Sequence, residues 1–348
     1  MINFRNDYSE GALPQVLQAL TDTNFEATCG YGMDDYCTRA AETVRRRFAC
    51  PNVDVHLMVG GTITNLTAIA AFLRPWQAVI TVTSAHICQH ETGAIEASGH
   101  KILRAGAPDG KLTPQMVRAI MREHHGGCDE HMVQPKLVYV SDATELGTIY
   151  TKAELTALRA VCDAYGLYLY LDGARLAPAL VAEGNDLQPE DLARLCDAFY
   201  IGGTKNGLLF GEALVIVNDA LKPDFRYVIK QNGGMLAKGR LLGIQFSELF
   251  RDGLYFELSA HAHALAMKLK AALVEMNVPF LVDSPTNQQF PILPDAVLDA
   301  LSEKYSFSEQ QRVDEGHRAV RFCTSWATKE EHVDALISDL RRLMASAS

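Results

Sequence analysis

The sequence predicts an α/β protein: a mostly parallel sheet covered by helices on both faces, followed by a smaller α+β unit. Three observations predict it. Short apolar runs alternate with amphipathic helical patterns through roughly residues 50–220. The runs are nearly continuous in apolar residues, as strands buried on both faces must be. Polar and glycine residues gather where the runs end, and open α/β sheets bind ligands at the carboxyl ends of their strands.

Taken in order, "VDVHLMV" (53–59) reads as a strand and "GGT" as the turn after it. The helix that follows carries Leu66, Ile69, Ala70 and Leu73 on its apolar face. "AVITVT" (78–83) and "KLVYVSD" (136–142) are the next strands, and a helix is expected over 152–165. "LYLYLDGAR" (167–175) is a buried strand ending in polar residues; "CDAFYIGGTK" and "EALVIVN" supply two more. Beyond about residue 243 the pattern changes. A long helical pattern over 256–276 is broken by Asn277 and Pro279. "PFLVDSPTNQQFPIL", a helix near 296–305, "AVRFCTSWAT" and a terminal amphipathic helix over 329–344 complete the chain. The expected division is 1–245 for an N-terminal arm and large domain, and 246–348 for a small C-terminal α+β domain.

The chain has 348 residues, 48% hydrophobic and 21% charged, the composition of a soluble globular protein. A formal net charge of −10 argues against nucleic acid and anionic membrane as partners. The most apolar stretch, "LTAIAAFL" (66–73), is too short to span a bilayer, and the polar start "MINFRNDYSE" has no signal core behind it. A cytoplasmic location is expected. The eight cysteines are scattered, with no C-x-x-C pair, so free thiols are expected and not a zinc site or disulfide framework. His124, His125 and His131 lie beside Cys128 and Asp129, without the regular spacing of a zinc site.

The chemistry starts from Lys205, one cation inside "YIGGTKNGLLFGEALVIVN". Taken singly, Lys205 reads as a loop lysine and Asp172, at the end of its strand, as a helix cap. Together they match the pair that pyridoxal phosphate needs: a lysine for the Schiff base and an acid to keep the pyridine nitrogen protonated. Apolar, glycine-lined surroundings would favour the free amine of Lys205 by desolvation, and Gly202 and Gly203 would leave room for a flat ring. "VGGTITN" (59–65) stands between a strand and a helix. There Gly60 and Gly61 allow close backbone approach, and Thr62 adds a hydroxyl at the positive helix end, a cradle for phosphate. His86 could stack on a ring, and Arg175 could reach cofactor or substrate.

"HICQHETGA", "YLDGARL", "GGTKNG" and "AVRFCTSWAT", with "FRNDYSEGA", "GYGMDD" (30–35) and "MVGGTITN", run in order through the chain. Together they resemble the threonine aldolase and β-eliminating lyase family of fold-type I pyridoxal phosphate enzymes. The resemblance implies a fold-type I, transferase-like architecture with a seven-stranded sheet. It implies cleavage of L-β-hydroxy-α-amino acids to glycine and an aldehyde, β-elimination being the alternative. Lys205 would carry the cofactor, Asp172 would pair with the pyridine nitrogen, His86 would stack on the ring, and Gly61 and Thr62 would bind phosphate. Arg321 would take the substrate carboxylate, with Arg175 helping to fix cofactor or substrate. Glu91 fits the family's acidic position, and His131 resembles a family histidine near the substrate hydroxyl. A homodimer or homotetramer with active sites at the subunit interface is implied; Tyr31 and Lys230 or Lys238 could reach across. Three departures surround the substrate: Thr204 replaces the usual serine before the lysine, "SDATELG" (141–147) replaces the usual "ENTHN", and Asn6 replaces a serine.

Overall fold

The structure is a computed structural model and describes residues 1–124 and 129–347. A seven-stranded sheet forms its centre, in the order Asp54–Met58, Glu212–Ile216, Ala198–Gly202, Tyr168–Asp172, Gln134–Ser141, Gln77–Val82, Ile102–Ala105. The last five run parallel, while Glu212–Ile216 is antiparallel to both its neighbours. Every residue of Ala198–Gly202 and Glu212–Ile216 is buried, as expected where helices cover both faces. The helix Gly61–Phe72 contributes Ala68 and Ile69 to this core, and Lys152–Tyr165 contributes Leu155, Leu158 and Val161. The second of these helices is set locally: a Thr151–Glu154 capping box starts it and Gly166, in the left-handed region, ends it.

A second core gathers Leu269, Leu273, Leu293, Val320, Phe322 and Leu336, together with Phe4 from the chain start. The strand Ile2–Asn3 pairs in parallel with Tyr305–Ser306, so the first residues belong to this C-terminal layer. The expected division at residue 245 falls inside the helix Arg240–Leu249, whose Phe246 and Leu249 pack in the large core. That core continues to Tyr255, and the small core takes over at Leu265 on the same helix, Leu254–Glu275. One continuous helix therefore joins the two cores.

No helix among the described residues is long and apolar enough to cross a membrane. Every described cysteine is a free thiol, and five of them are buried. His125 and Cys128, from the histidine-rich stretch, lie outside the described residues; among the described ones no group of three or more His, Cys, Asp or Glu side chains could hold a metal.

Candidate active site

The parallel strands deliver their last residues to one edge. Ser141 and Asp172 end adjacent strands in register, Gly202 ends the next, and His86 opens the short helix His86–Gln89 beyond Gln77–Val82. A cleft of about 700 Å³ opens there, lined by His86, Arg175 and Lys205 from the large core, Asn6 from the chain start, and Arg321 from the small core. Five sequence-predicted residues thus meet around one space.

Asp172, at the strand ends that form the floor, is not among the lining residues but acts on His86, which is. Asp172 is buried; its Oδ2 accepts from Asn65 Nδ2 at 3.0 Å and from the Tyr139 hydroxyl, and its Oδ1 accepts from Ala174 N–H at 3.0 Å. Burial alone would raise its pKa. Hydrogen bonds from Tyr139 and Tyr200 and the nearby His86 overcome this and hold it below the usual carboxylate value. The floor therefore carries a fixed negative charge. Asn65 extends the network: its Nδ2 also lies 2.8 Å from Glu91 Oε1, and its Oδ1 accepts from the Tyr170 hydroxyl at 3.0 Å. The same Glu91 oxygen is 2.7 Å from His86 Nδ1. Burial lowers the His86 pKa, but this bond and the charges of Glu145 and Asp172 raise it above its ordinary value. With Nδ1 bound to Glu91, Nε2 is the ring atom free for other work.

Sequence reasoning missed Asn65, Tyr139, Tyr170 and Tyr200 as site residues. A signal was there: each tyrosine stands two residues before the end of its strand, in "YVS", "YLD" and "YIG". With a period of two, all three face the side that Asp172 faces.

Two arginines in the cleft differ sharply. Arg175 is buried and forked onto Asp7, Nε to Oδ2 at 2.7 Å and Nη2 to Oδ1 at 3.0 Å. Burial would raise the Asp7 carboxyl, but the charges of Arg175 and Lys205 hold it far below the usual value. Asn287 Nδ2 donates to Asp7 Oδ2 at 3.1 Å, so this cluster ties chain start, large core and small core together. Asp7 received no role from sequence alone. Arg321 has no ion pair among the described residues. It donates to the Gln288 side chain at 3.0 Å and to the Arg5 carbonyl at 3.1 Å, and its buried Nε has no partner. Asn6 Oδ1 accepts from Tyr8 N–H and Ser9 Oγ, which leaves its amide NH₂ uncommitted.

Several expectations need correction. His131 lies just before the start of Gln134–Ser141, whereas Ser141 reaches the cleft at its end. Eight residues of strand put roughly 25 Å between the two, so His131 does not join the cleft of its own chain. Lys205 does not sit in apolar surroundings. It is half-buried at a polar cleft, without a hydrogen bond or ion pair among the described residues, and its charge acts on the carboxyls of Asp7 and Glu212. Gly202 does not make room for a ring: its N–H donates to the Gly173 carbonyl at 2.9 Å, and a Cβ there would collide with the Ala174 carbonyl. Gly61 is the glycine beside the floor, where a Cβ would come 3.3 Å from the Tyr200 hydroxyl. It opens the helix Gly61–Phe72, with Thr62 exposed next to it. Tyr31 lines a separate cavity of about 210 Å³ with Arg45, His56 and Arg226, and Lys230 Nζ lies 4.5 Å from its ring centroid.

The fold defines the class. A solved mutant of Thermus thermophilus aspartate aminotransferase overlays on 99% of this chain and 91% of that one, with a TM-score of 0.71 at 15% identity, the mark of a shared fold-type I architecture. The family model described as beta-eliminating lyase matches residues 3–295. The low specificity L-threonine aldolase of a Pseudomonas species is 32% identical over 352 residues, covering 99% of this chain and 98% of that protein. A solved threonine aldolase from Leishmania major overlays with a TM-score of 0.97 at 47% identity, covering 99% of this chain and 100% of that one. The chain belongs to the beta-eliminating lyase family.

Proposed function

We propose that this protein is a pyridoxal phosphate-dependent carbon–carbon lyase that cleaves L-β-hydroxy-α-amino acids of the threonine, allo-threonine or phenylserine type to glycine and an aldehyde. The observation that carries the reading is a cleft lined by Lys205 and Arg321, neither in an ion pair among the described residues, and by His86, on which the buried, ionised Asp172 acts. The residues fit the cofactor: Asp172 is held ionised with no ion pair among the described residues, and Gly61, at a helix N-terminus, leaves room that a Cβ 3.3 Å from the Tyr200 hydroxyl would fill. When bound, the cofactor supplies the electron sink for cleavage. Lys205 would hold it by its amine, Asp172 would keep its pyridine nitrogen protonated, His86 would stack on its ring, and Gly61 and Thr62 would take its phosphate. Arg321 takes the substrate carboxylate as a fork, with Arg175 and Asn6 beside it. This fixes which bond at the α-carbon breaks. The β-hydroxyl proton goes to His86 Nε2 or to water.

We further place the protein in the cytoplasm as a homodimer or homotetramer with active sites at subunit interfaces. Supporting this, Tyr31 and Lys230 are turned away from their own cleft, Lys238 is exposed, and Phe25, Met33 and Tyr227 expose large apolar surface near the same loops. Tyr31 and one of the lysines would complete a neighbour's site.

The test is incubation of the cofactor-loaded protein with threonine, allo-threonine and phenylserine. Glycine and the matching aldehyde are expected. Ammonia and a keto acid from substrates with a good β-leaving group, with no glycine from any of the three, would overturn the retro-aldol reading in favour of β-elimination.

A further inference from the structure

Glu212 has no part in the reaction above, yet it is buried against the two residues that precede Lys205. It opens the strand Glu212–Ile216 and lies opposite Gly202 in the antiparallel ladder. Only 3% of it is exposed. Its Oε2 accepts from Gly203 N–H at 3.1 Å, and its Oε1 lies 2.8 Å from Thr204 Oγ1. Thr204 Oγ1 also accepts from Gly211 N–H at 3.0 Å. Both oxygens therefore grip the two residues that precede Lys205. The residue that follows is held from the other side: Asn206 donates to the Tyr255 carbonyl at 2.8 Å and accepts from Ser259 Oγ at 3.0 Å.

A glutamine could still accept from Gly203 and, with the hydroxyl turned, donate to Thr204 Oγ1, and burying an ionisable carboxyl is expensive. What glutamine lacks is the charge. The groups facing that carboxyl are Lys205, Asp172 and the hydroxyls of Tyr170, Tyr200 and Tyr255. Lys205 is the cation among them. Thr204, the departure from the family's usual serine, spends its hydroxyl on Glu212 and Gly211.

We propose that Glu212 is a positioning residue for Lys205: through Thr204 and Gly203 it fixes the lysine's backbone, and its carboxylate is the counter-charge of the free Lys205 ammonium. The role rests on the reading of Lys205 as the cofactor's lysine, since that amine must be released and recaptured in each turnover. Burial raises the Glu212 carboxyl to about 8, against the pull of Thr204, Lys205 and Gly203. It is thus ionised above about pH 8, where it can face the Lys205 charge.

The experiment measures, for the full chain before pyridoxal phosphate is added, the pH dependence of Lys205 labelling by an amine-specific reagent, read by mass spectrometry of its peptide. E212Q is expected to label several-fold faster than wild type at pH 9, where the wild-type Glu212 carboxyl is ionised, and at about the wild-type rate at pH 6. T204V is expected to show a smaller gain at pH 9, and T204S to restore the wild-type rate. In the loaded protein the pH dependence of the cofactor's visible band should also change in E212Q. A folded E212Q with the wild-type rate at pH 9, or with the same gain at both pH values, overturns the proposal. If E212Q does not fold, T204V decides, and an unmoved rate there overturns it. A wild-type chain that takes up no pyridoxal phosphate would sink the function proposed above, while the labelling series would still decide this one.

Discussion

The two sides of the cleft are built on different terms. The floor, at the strand ends of the large core, is buried and networked: Asp172, Asn65, Glu91 and three tyrosines answer one another's hydrogen bonds. The facing wall, from the small core and the chain start, is open. Arg321 is half-buried without an ion pair among the described residues, and Arg5, Glu309, Gln310 and Gln311 are exposed. The floor is preorganised electrostatics, aimed at the constant part of the ligand. The wall offers a spare charge and adaptable side chains, which suit a part that varies between substrates.

The sharpest way to break this contrast is Asp172→Asn. The amide keeps the shape and can still accept from Tyr139, but the fixed charge is gone. Turnover should fall by about 10²–10³-fold, the usual cost of removing one preorganised electrostatic partner. The cofactor's visible band should weaken with it. Turnover in D172N close to wild type would mean that the floor supplies no charge to the reaction. On the wall, Arg321→Lys keeps the charge and loses the fork. A lost charge-assisted bond of about 1.5–3 kcal/mol should raise KM roughly 10–100-fold, with kcat less affected. Arg175→Lys should instead lower the melting temperature, because it breaks the buried fork that pins the chain start to the large core. If R321K and R175K gave the same split between KM and stability, the distinction between a free and a committed arginine would fall.

The same contrast explains what could be read from sequence. The helix Lys152–Tyr165 was legible because its cap, its periodicity and its terminal glycine are all local. The strand Ile102–Ala105 was not: it is four residues long, at the sheet edge, and carries a charged Arg104. Nor does any local pattern encode that Glu212–Ile216 runs against its neighbours. In the site, Lys205, Asp172 and His86 were legible because each ends an apolar run. Asp7 was not, since its partner Arg175 is 168 residues away. His131 was misplaced because nearness to a strand in sequence does not say which end of that strand meets the ligand.

The smallest expected effect probes a join within the floor. Glu91→Gln keeps an oxygen for His86 Nδ1 and Asn65 Nδ2 and removes the charge. The new amide NH₂ would replace Oε2, which is buried without a partner, so a loss of about 1–3 kcal/mol at every pH is expected from the unsatisfied donor. The informative quantity is the pH dependence. In the native protein the His86 pKa is raised above its unfolded value of about 6.5. The stability this adds is fully present below about pH 6.5 and is lost as pH rises through the folded value, at about 1.4 kcal/mol for each pH unit that separates the two. Without the Glu91 charge, part of that stabilisation disappears, while the charges of Glu145 and Asp172 remain. The melting-temperature gap between wild type and E91Q should therefore be widest at acid pH and narrow as pH rises toward 8. Glu212, raised to about 8, and Asp142, raised to about 7, both by burial, also make stability fall over this range; both are present in the two proteins and cancel in the gap. A gap that stays constant with pH would mean that Glu91 acts on His86 only as a hydrogen-bond acceptor, and that the charge on the floor stops at Asp172.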